Sequence, residues 1–175
     1  LKLACFFNQN QINFQMSTNW NWHTRQLIVK FLQTFVRTNA SSFLHQSSWI
    51  ESILGVVVAL LSDPVIEVRD AACFTLSSIV CLDLLEPLRR DQLIGHLKRE
   101  VHEASADQLQ QRHGAILGLC AFVYAYPDDL PHFLVDVILY RGNHLNDPRP
   151  IPVKWQSLGR MKRSCLIFIY CSLQK

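Results

Sequence analysis

The stretch Leu61–Val80, LSDPVIEVRDAACFTLSSIV, decides how the rest of the chain is interpreted. Its opening, Ser62-Asp63-Pro64, is typical of the end of one helix and the start of another, because aspartate caps helices and proline is tolerated in a first turn. Small residues and an apolar stripe follow, which predicts a helix from Val65 that packs closely against its neighbours. Arg69 is the only basic residue in this stretch, and its position recurs along the chain.

The pattern around Arg69 repeats with a period in the low forties. The basic residues that define the period are separated by 44, 43 and 42 positions: Arg25, Arg69, Arg112 and Lys154. An apolar residue lies seven positions after each of them: Leu32, Leu76, Leu119 and Met161. The helix-opening phrase also recurs, as Leu145-Asn146-Asp147-Pro148. Such a period is the signature of stacked helix pairs of the HEAT or armadillo kind. We therefore predict an all-α fold, a HEAT/armadillo-like α-solenoid of about three to four helix pairs with an irregular C-terminal tail.

Helical spacing of apolar residues also places the other elements and the domain limits. The helices predicted on either side of the opening stretch are Trp20–Thr38, Gln46–Leu61, Asp83–Ser105, Asp107–Tyr126 and His132–Leu145. Residues 1–19 are rich in Asn and Gln and are interpreted as an irregular N-terminal remnant. The HEAT-like repeats are expected to fill residues 20–153. Residues 154–175 are a divergent basic and apolar tail, in which Phe168–Tyr170 favours strand over helix.

Composition narrows the functional classes. The chain has 175 residues, of which 49% are hydrophobic and 18% charged, enough apolar content for a packed core. The net charge of +3 comes from residues 149–175, which hold six basic residues and no acidic ones, so the body of the chain is mildly acidic. A basic face for nucleic acid is therefore not expected. No apolar run approaches the ~18 residues of a membrane span. Six cysteines without a CxxC pair are typical of reduced thiols in an intracellular protein.

No arrangement of residues predicts catalysis. The seven histidines form no HExxH motif, and neither a Gly-rich phosphate loop nor a GxSxG elbow occurs. Cys73 and His113 could be proposed as nucleophile and base, but nothing local would activate the thiol. We therefore predict no enzyme, no metal site and no cofactor.

The repeated basic residue has two possible uses, one structural and one in ligand contact. In stacked helix pairs it can reach an aspartate in the preceding turn between helices, so that each repeat contributes one rung of a ladder. The residues predicted to form this ladder are Asp63, Arg69, Arg112 and Asp147. The alternative is that Arg69 and Arg112 face a bound partner.

Short runs over residues 20–151 carry a family resemblance, because they occur in order and at matching intervals. They include Trp22-His23-Thr24-Arg25, Leu32-Gln33-Thr34, Glu67-Val68-Arg69, Thr75-Leu76-Ser77, Leu117-Gly118-Leu119, Tyr126-Pro127-Asp128-Asp129-Leu130-Pro131 and His144-Leu145-Asn146-Asp147-Pro148. Together they resemble the C-terminal part of the large HEAT-repeat proteasome activators, of the proteasome activator complex subunit 4 type.

The resemblance implies a curved solenoid that caps the proteasome core particle and opens its gate without ATP or ubiquitin. It also implies a link to the degradation of acetylated histones and to DNA repair. The partners it implies are the proteasome core particle and acetylated histones, with no direct nucleic acid and no membrane. The implied location is the nucleus and the cytoplasm. A generic HEAT/armadillo adaptor, of transport or scaffold type, is the alternative function.

Two positions differ from the family pattern. The Asn-Phe pair that the resemblance assigns to acetyl-lysine contact falls on Asp83 and Leu84, and a carboxylate has no amide N–H to donate. Family members end in a hydrophobic-tyrosine-any-residue motif that docks on the core particle, whereas this chain ends Ser172-Leu173-Gln174-Lys175. We expect the chain to leave the family pattern at about Pro152 and to lack that docking motif.

Overall fold

The chain folds into helices joined by short turns in the computed structural model, which describes residues 20–43, 47–105 and 108–144. The helices in these ranges are α1 (Trp22–Thr38), α2 (Ala40–Phe43), α3 (Ser47–Leu60), α4 (Ile66–Cys81), α5 (Pro87–Glu103), α6 (Leu109–Ala125) and α7 (His132–His144). No strand occurs within these ranges. The predicted all-α class is confirmed.

The helices stack as repeated pairs. One layer is formed by α1, α4 and α6, with α4 packed between the other two. Against this layer pack α3, which contacts α4, and α5 and α7, which both contact α6. The pairs α3/α4 and α5/α6 are two successive repeats. This is the HEAT-like solenoid that the forty-odd residue period predicts.

Hydrogen bonds between neighbouring repeats give the period a physical meaning. Each joins a side chain of one helix to a main-chain oxygen of the next helix in its layer. They run from Gln33 to Phe74 (3.3 Å), from Thr75 to Val29 (3.2 Å), from Cys73 to Leu117 (3.1 Å) and from Tyr140 to Lys98 (2.8 Å). The paired residues are 41 to 46 positions apart in the chain. The period read from the sequence is therefore the distance along the chain between residues that touch.

The helix α6 is the most enclosed part of the described structure. Every residue from Arg112 to Val123 is buried, including both glycines. Gly114 lies so close to the α3–α4 turn that a Cβ atom there would stand 2.6 Å from the carbonyl carbon of Leu61, and closer still to its oxygen. Only glycine permits this approach of α6 to the preceding repeat.

The observed boundaries differ from the predicted ones in three places. Asp63 accepts a hydrogen bond from the Val65 N–H (2.8 Å), but α4 begins at Ile66, so Asp63 closes the turn before the helix and does not cap the helix itself. The helix predicted from Asp83 begins at Pro87, because Asp83 and Leu84 instead make the hydrogen bonds that close the C-terminus of α4. The short helix α2 was not predicted. It is anchored by buried Phe43.

Some predictions fall on residues outside the described ranges. These are the N-terminal remnant (residues 1–19), the tail (residues 154–175) and the ladder residue Asp147. Within the ranges that the structure describes, none of the helices has the length and apolar character required to cross a membrane.

Candidate functional site

Four of the predicted site residues lie at two places: Asp63 and Arg69 at one, and Asp83 and Leu84 at the other. The first is the turn between α3 and α4, called here the Asp63 turn, where Arg25 and Arg69 bind Asp63 and His113 accepts from Arg69. The second is the end of α4, called here the Asp83 corner, formed by Asp83, Leu84, Arg90, Tyr126 and Phe133.

At the Asp63 turn the carboxylate is held by a two-pronged ion pair. Arg25 Nε lies 2.6 Å from Oδ2 of Asp63, and Nη2 lies 2.9 Å from Oδ1. Both side chains are buried. The hydrogen bonding that Arg25 donates to the Asp63 carboxylate raises the pKa of Arg25 above its ordinary value, against the lowering effect of burial. Paired donors of this kind give the strongest Arg–carboxylate contacts, so α1 is tied to the turn of the following repeat.

The Arg69 side chain reaches the same turn, but it binds the main-chain oxygens of the turn and not the carboxylate. Its Nη1 donates to the carbonyl oxygens of Asp63 (2.6 Å) and Pro64 (3.1 Å). Its Nε donates to Nδ1 of His113 on α6 (3.1 Å). Burial lowers the pKa of Arg69. The structure therefore joins Arg69 to Asp63 through the main-chain oxygen of Asp63, whereas the carboxylate is bound by Arg25.

His113 is built into this network as a neutral acceptor. Burial and, to a smaller extent, the positive charge of Arg69 together lower its pKa from 6.5 to about 4. An imidazole that accepts at Nδ1 must be deprotonated there. The lowered pKa and the hydrogen bond agree, because a neutral His113 on α6 can accept the bond from Arg69 on α4.

The second half of the predicted ladder is only partly described. Arg112 is 1% exposed on α6, and its charge acts on Tyr140 of α7, whose pKa is raised by burial and lowered by Arg112. Its predicted partner, Asp147, lies outside the described residues. That rung stays a prediction.

Sequence reasoning missed Arg25 and His113 as members of the Asp63 turn. The signal for Arg25 was present, because it occupies the same repeat position as Arg69 and Arg112. For His113 the signal was its place one residue after Arg112 on a largely apolar helix. Neither signal says which neighbouring turn the side chain reaches.

At the Asp83 corner, the two residues to which the sequence resemblance assigns acetyl-lysine contact are the residues that terminate α4. Asp83 has a positive φ of 52°, its N–H donates to the Val80 oxygen (3.0 Å), and the Leu84 N–H donates to the Ile79 oxygen (3.3 Å). This is the Schellman ending, in which one left-handed residue follows the last helical turn. Aspartate and asparagine are the non-glycine residues that most readily take that conformation. The Asp83 side chain is exposed, and Leu84 is half-buried.

Two aromatic rings and an arginine complete the corner. Tyr126, at the end of α6, meets Phe133 of α7 edge to face, with ring centroids 5.7 Å apart. The guanidinium carbon of Arg90 lies 3.9 Å from the Phe133 centroid. Arg90 also pairs with Asp91, its Nε standing 3.1 Å from Oδ1.

The spacing of the contacts between α4 and α6, continued past the ends of both helices, predicts that Asp83 lies near Tyr126. Arg69 bonds His113 and Cys73 bonds Leu117, and both pairs are 44 positions apart. At the same spacing Asp83 lies opposite Pro127, the neighbour of Tyr126. The pKa of Tyr126 agrees: it is raised first by burial and then by the negative charge of Asp83, while Arg90 lowers it.

Neither the Asp63 turn nor the Asp83 corner has the described residues that a metal centre needs. In residues 20–43, 47–105 and 108–144, no group of three or more His, Cys, Asp or Glu residues is arranged to hold a metal ion. The chemistry of the two places is ion pairing, aromatic contact and hydrogen bonding.

Comparison with known proteins adds two family matches. Residues 109–160, which include α6 and α7, match the model described as "Proteasome activator complex subunit 4-like, C-terminal". Residues 53–80, which include most of α3 and α4, match the HEAT repeat.

Individual relatives match over most of the chain. Proteasome activator complex subunit 4 of Homo sapiens is 31% identical over 155 residues, covering 81% of this chain and 8% of the relative. Proteasome activator complex subunit 4A of Danio rerio is 31% identical over 152 residues, covering 78% and 8%. Proteasome activator subunit 4 of Arabidopsis thaliana is 26% identical over 139 residues, covering 75% and 8%. The chain thus spans about 8% of the length of the relatives it matches.

Proposed function

Because the chain resembles the C-terminal region of the large HEAT-repeat proteasome activators of the subunit 4 type, we propose that it acts as a fragment of a proteasome activator. Its partner is the proteasome core particle, which it helps to cap, and it promotes degradation that needs neither ubiquitin nor ATP. The observation that carries this proposal is the 31% identity over 81% of the chain.

The fold supports action by protein contact instead of catalysis. Stacked helix pairs present extended surfaces to other proteins. At the Asp63 turn, the buried Arg25–Asp63 ion pair and the Arg69–His113 hydrogen bond hold successive pairs in one register. The histidine and cysteine considered as a catalytic pair both serve this scaffold, since His113 accepts from Arg69 and Cys73 donates to the Leu117 oxygen. The proposed activity is therefore that of a scaffold and activator, not of an enzyme.

The proposal extends to substrates and location. Histones, acetylated ones included, are the proposed substrates, with a part in DNA repair and residence in the nucleus and cytoplasm. A degradation assay checks the substrate class: core particles would digest acetylated or unmodified histones with and without the chain. Faster loss of histones in the presence of the chain is expected, and no acceleration of either form would contradict this extension.

Co-sedimentation with purified core particles tests the central proposal. The chain is compared with a variant whose last three residues are replaced by Tyr-Tyr-Ala, the motif that family members use for docking. We expect the variant to sediment with core particles and to stimulate hydrolysis of a fluorogenic peptide, and the unaltered chain to do so less. Equal behaviour of the two would contradict the expected role of the tail. Failure of both to bind would contradict the proposal itself.

The adaptor function is the competing proposal, because the HEAT match at residues 53–80 is common to many protein-binding solenoids. It predicts that the chain binds extended peptides while ignoring core particles. The same sedimentation experiment separates the two functions.

A further inference from the structure

The helix α1 carries a row of exposed side chains on the side that faces away from α4. Its other side bonds to α4 through Gln26, Val29 and Gln33. The exposed row, called here the α1 stripe, consists of Thr24, Leu27, Phe31, Thr34 and Thr38. At its centre Leu27 is 64% exposed and Phe31 is 51% exposed. We propose that the α1 stripe binds an amphipathic helix of another protein, with acidic residues beside the apolar side of that helix. This inference goes beyond the proposed function and does not depend on contact with core particles.

The spacing of the α1 stripe suits a second helix. Its members are separated by alternating steps of three and four residues, the period at which one helix lies along another. The Phe31 ring stacks on Phe35 (centroids 6.0 Å apart), and Phe35 meets buried Phe43 edge to face, so the exposed ring is held in place by the core. The hydroxyl groups of Thr34 and Thr38 donate to carbonyl oxygens of α1 itself. Neither threonine therefore needs a polar partner on the bound helix.

The α1 stripe differs from the surfaces that join successive repeats. The residues two and six positions after the repeated arginines are Leu27 and Phe31 in α1, Ala71 and Thr75 in α4, and Gly114 and Gly118 in α6. In the two later helices these small residues allow a close approach to the preceding repeat, since Thr75 donates to the Val29 oxygen and Gly114 lies against the Leu61 carbonyl. Leucine and phenylalanine hold a neighbouring helix farther away. The stripe is therefore suited to contact between side chains, not to the main-chain approach that joins the repeats.

The charges beside the α1 stripe are positive. Lys30 and Arg37 are exposed, and because they are seven residues apart they lie along the same edge of the stripe. Neither forms an ion pair with any residue that the structure describes, and α1 contains no acidic residue. Glutamates on a bound helix would meet attraction at this edge, whereas lysines would meet repulsion.

The same charges argue against two other occupants of the stripe. Residues 1–19 of this chain contain neither Asp nor Glu. A second copy paired through α1 would bring its own Lys30 and Arg37 to the contact. Neither occupant offers the complementary charge, so the surface favours an acidic helix from a different protein.

The test is a titration of the ¹⁵N-labelled chain, at low ionic strength, with two synthetic peptides of three heptads each. The acidic peptide repeats Leu-Ala-Ala-Leu-Glu-Ala-Glu, and the basic peptide has lysine in place of each glutamate. Amide shifts of Leu27 and Phe31 report binding at the stripe. We expect the acidic peptide to bind about ten-fold more tightly, the size of two exposed charge contacts that attract in one complex and repel in the other. High salt should reduce this preference.

Two variants and their matched controls locate the binding surface. Leu27→Ala should weaken binding of the acidic peptide about five-fold, because it removes apolar area that the partner would cover. Leu88→Ala shortens a leucine on α5 that is 70% exposed but lies outside the stripe, so it should bind as the parent chain does. Lys30→Glu should abolish the preference between the peptides. Arg99→Glu makes the same charge reversal at an exposed position of α5 and should keep the preference.

The outcomes separate the possible occupants. Equal binding of the two peptides, or no shift at Leu27 and Phe31 with either of them, would overturn the proposal. Analytical ultracentrifugation measures self-association on the same samples. A dimer that Leu27→Ala converts to a monomer would make a second copy the occupant and would also overturn it. A monomer that discriminates between the peptides, and loses the discrimination in Lys30→Glu but not in Arg99→Glu, is the result that we expect.

Discussion

Replacing Gly114 by alanine should damage the fold far more than a helical glycine-to-alanine change normally does. A Cβ at this position would lie 2.6 Å from the carbonyl carbon of Leu61, whereas ordinary contacts begin at 3.4 Å. The atoms in the way are main chain, and the same turn is fixed two residues later at Asp63, which Arg25 and Arg69 both hold. Overpacking costs about 1–3 kcal/mol or more, while alanine gains at most about 1 kcal/mol in helix propensity. Because the added Cβ meets main-chain atoms that cannot move aside, the cost lies at or above the top of that range, and we expect a net loss of about 2 kcal/mol or more.

Urea denaturation followed by circular dichroism measures this loss as a shift of the transition midpoint at constant slope. Gly118→Ala is the graded control, because its Cβ would meet only side-chain methyls of Leu97 (2.9 Å) and Leu61 (3.0 Å), which can move. Gly55→Ala is the matched neutral control, since nothing lies within 4 Å of its Cβ position. It should be neutral or stabilised by up to about 1 kcal/mol. If Gly114→Ala unfolds within about 0.5 kcal/mol of the parent chain, the close approach of α6 to Leu61 is refuted.

Two further perturbations test the Asp63 turn. Asp63→Asn leaves the buried Arg25 charge without its counter-ion and should lower the free energy of unfolding by about 3–5 kcal/mol. The control Glu51→Gln removes an exposed ion pair and should lower it by about 0.5 kcal/mol or less. Equal losses for the two variants in urea denaturation would contradict the burial argument. Acidification should also weaken the fold. His113 has a folded pKa of about 4 against the ordinary 6.5, so its contribution is complete above pH 6.5 and is lost as the pH falls towards 4. Each pKa unit is worth about 1.36 kcal/mol, which makes the loss roughly 3 kcal/mol for this nearly fully buried residue. His113→Gln, which keeps an acceptor for Arg69 without titrating, should flatten the stability–pH curve over this interval; an unchanged curve would assign the pH dependence to other groups.

The sequence predicts the solenoid well because residues at equivalent positions of the repeat pack in equivalent places. Equivalent positions such as Arg69 and Arg112 recur wherever a helix occupies the same place in its pair. Apolar spacing then marks which face of each helix is buried. What periodicity does not say is which of two neighbouring repeats a long side chain reaches. The carboxylate of Asp63 is bound by Arg25 from the repeat before it, while Arg69 takes the carbonyl of the same residue.

The end of α4 was harder to predict for a different reason. Helix endings of the Schellman type usually have a glycine at the left-handed position, but here the left-handed residue is Asp83. Without that signal the charged stretch after Val80 reads as the start of the next helix. The short helix α2 was not predicted because four residues are too few to show a helical period. In both places the structure depends on a single turn, not on a pattern that spreads over many residues.

The hydrogen bonds that join neighbouring repeats have a consequence for how such a chain can change over evolution. Thr75, Cys73 and Tyr140 each donate to a main-chain oxygen of the adjacent helix. Every amino acid carries such an oxygen, so the accepting position can be substituted freely without breaking the bond. Only the donor is constrained, and each repeat can therefore drift in sequence without waiting for a compensating change in its neighbour. A solenoid tied together in this way can preserve its stacking while the identity between its repeats becomes very low.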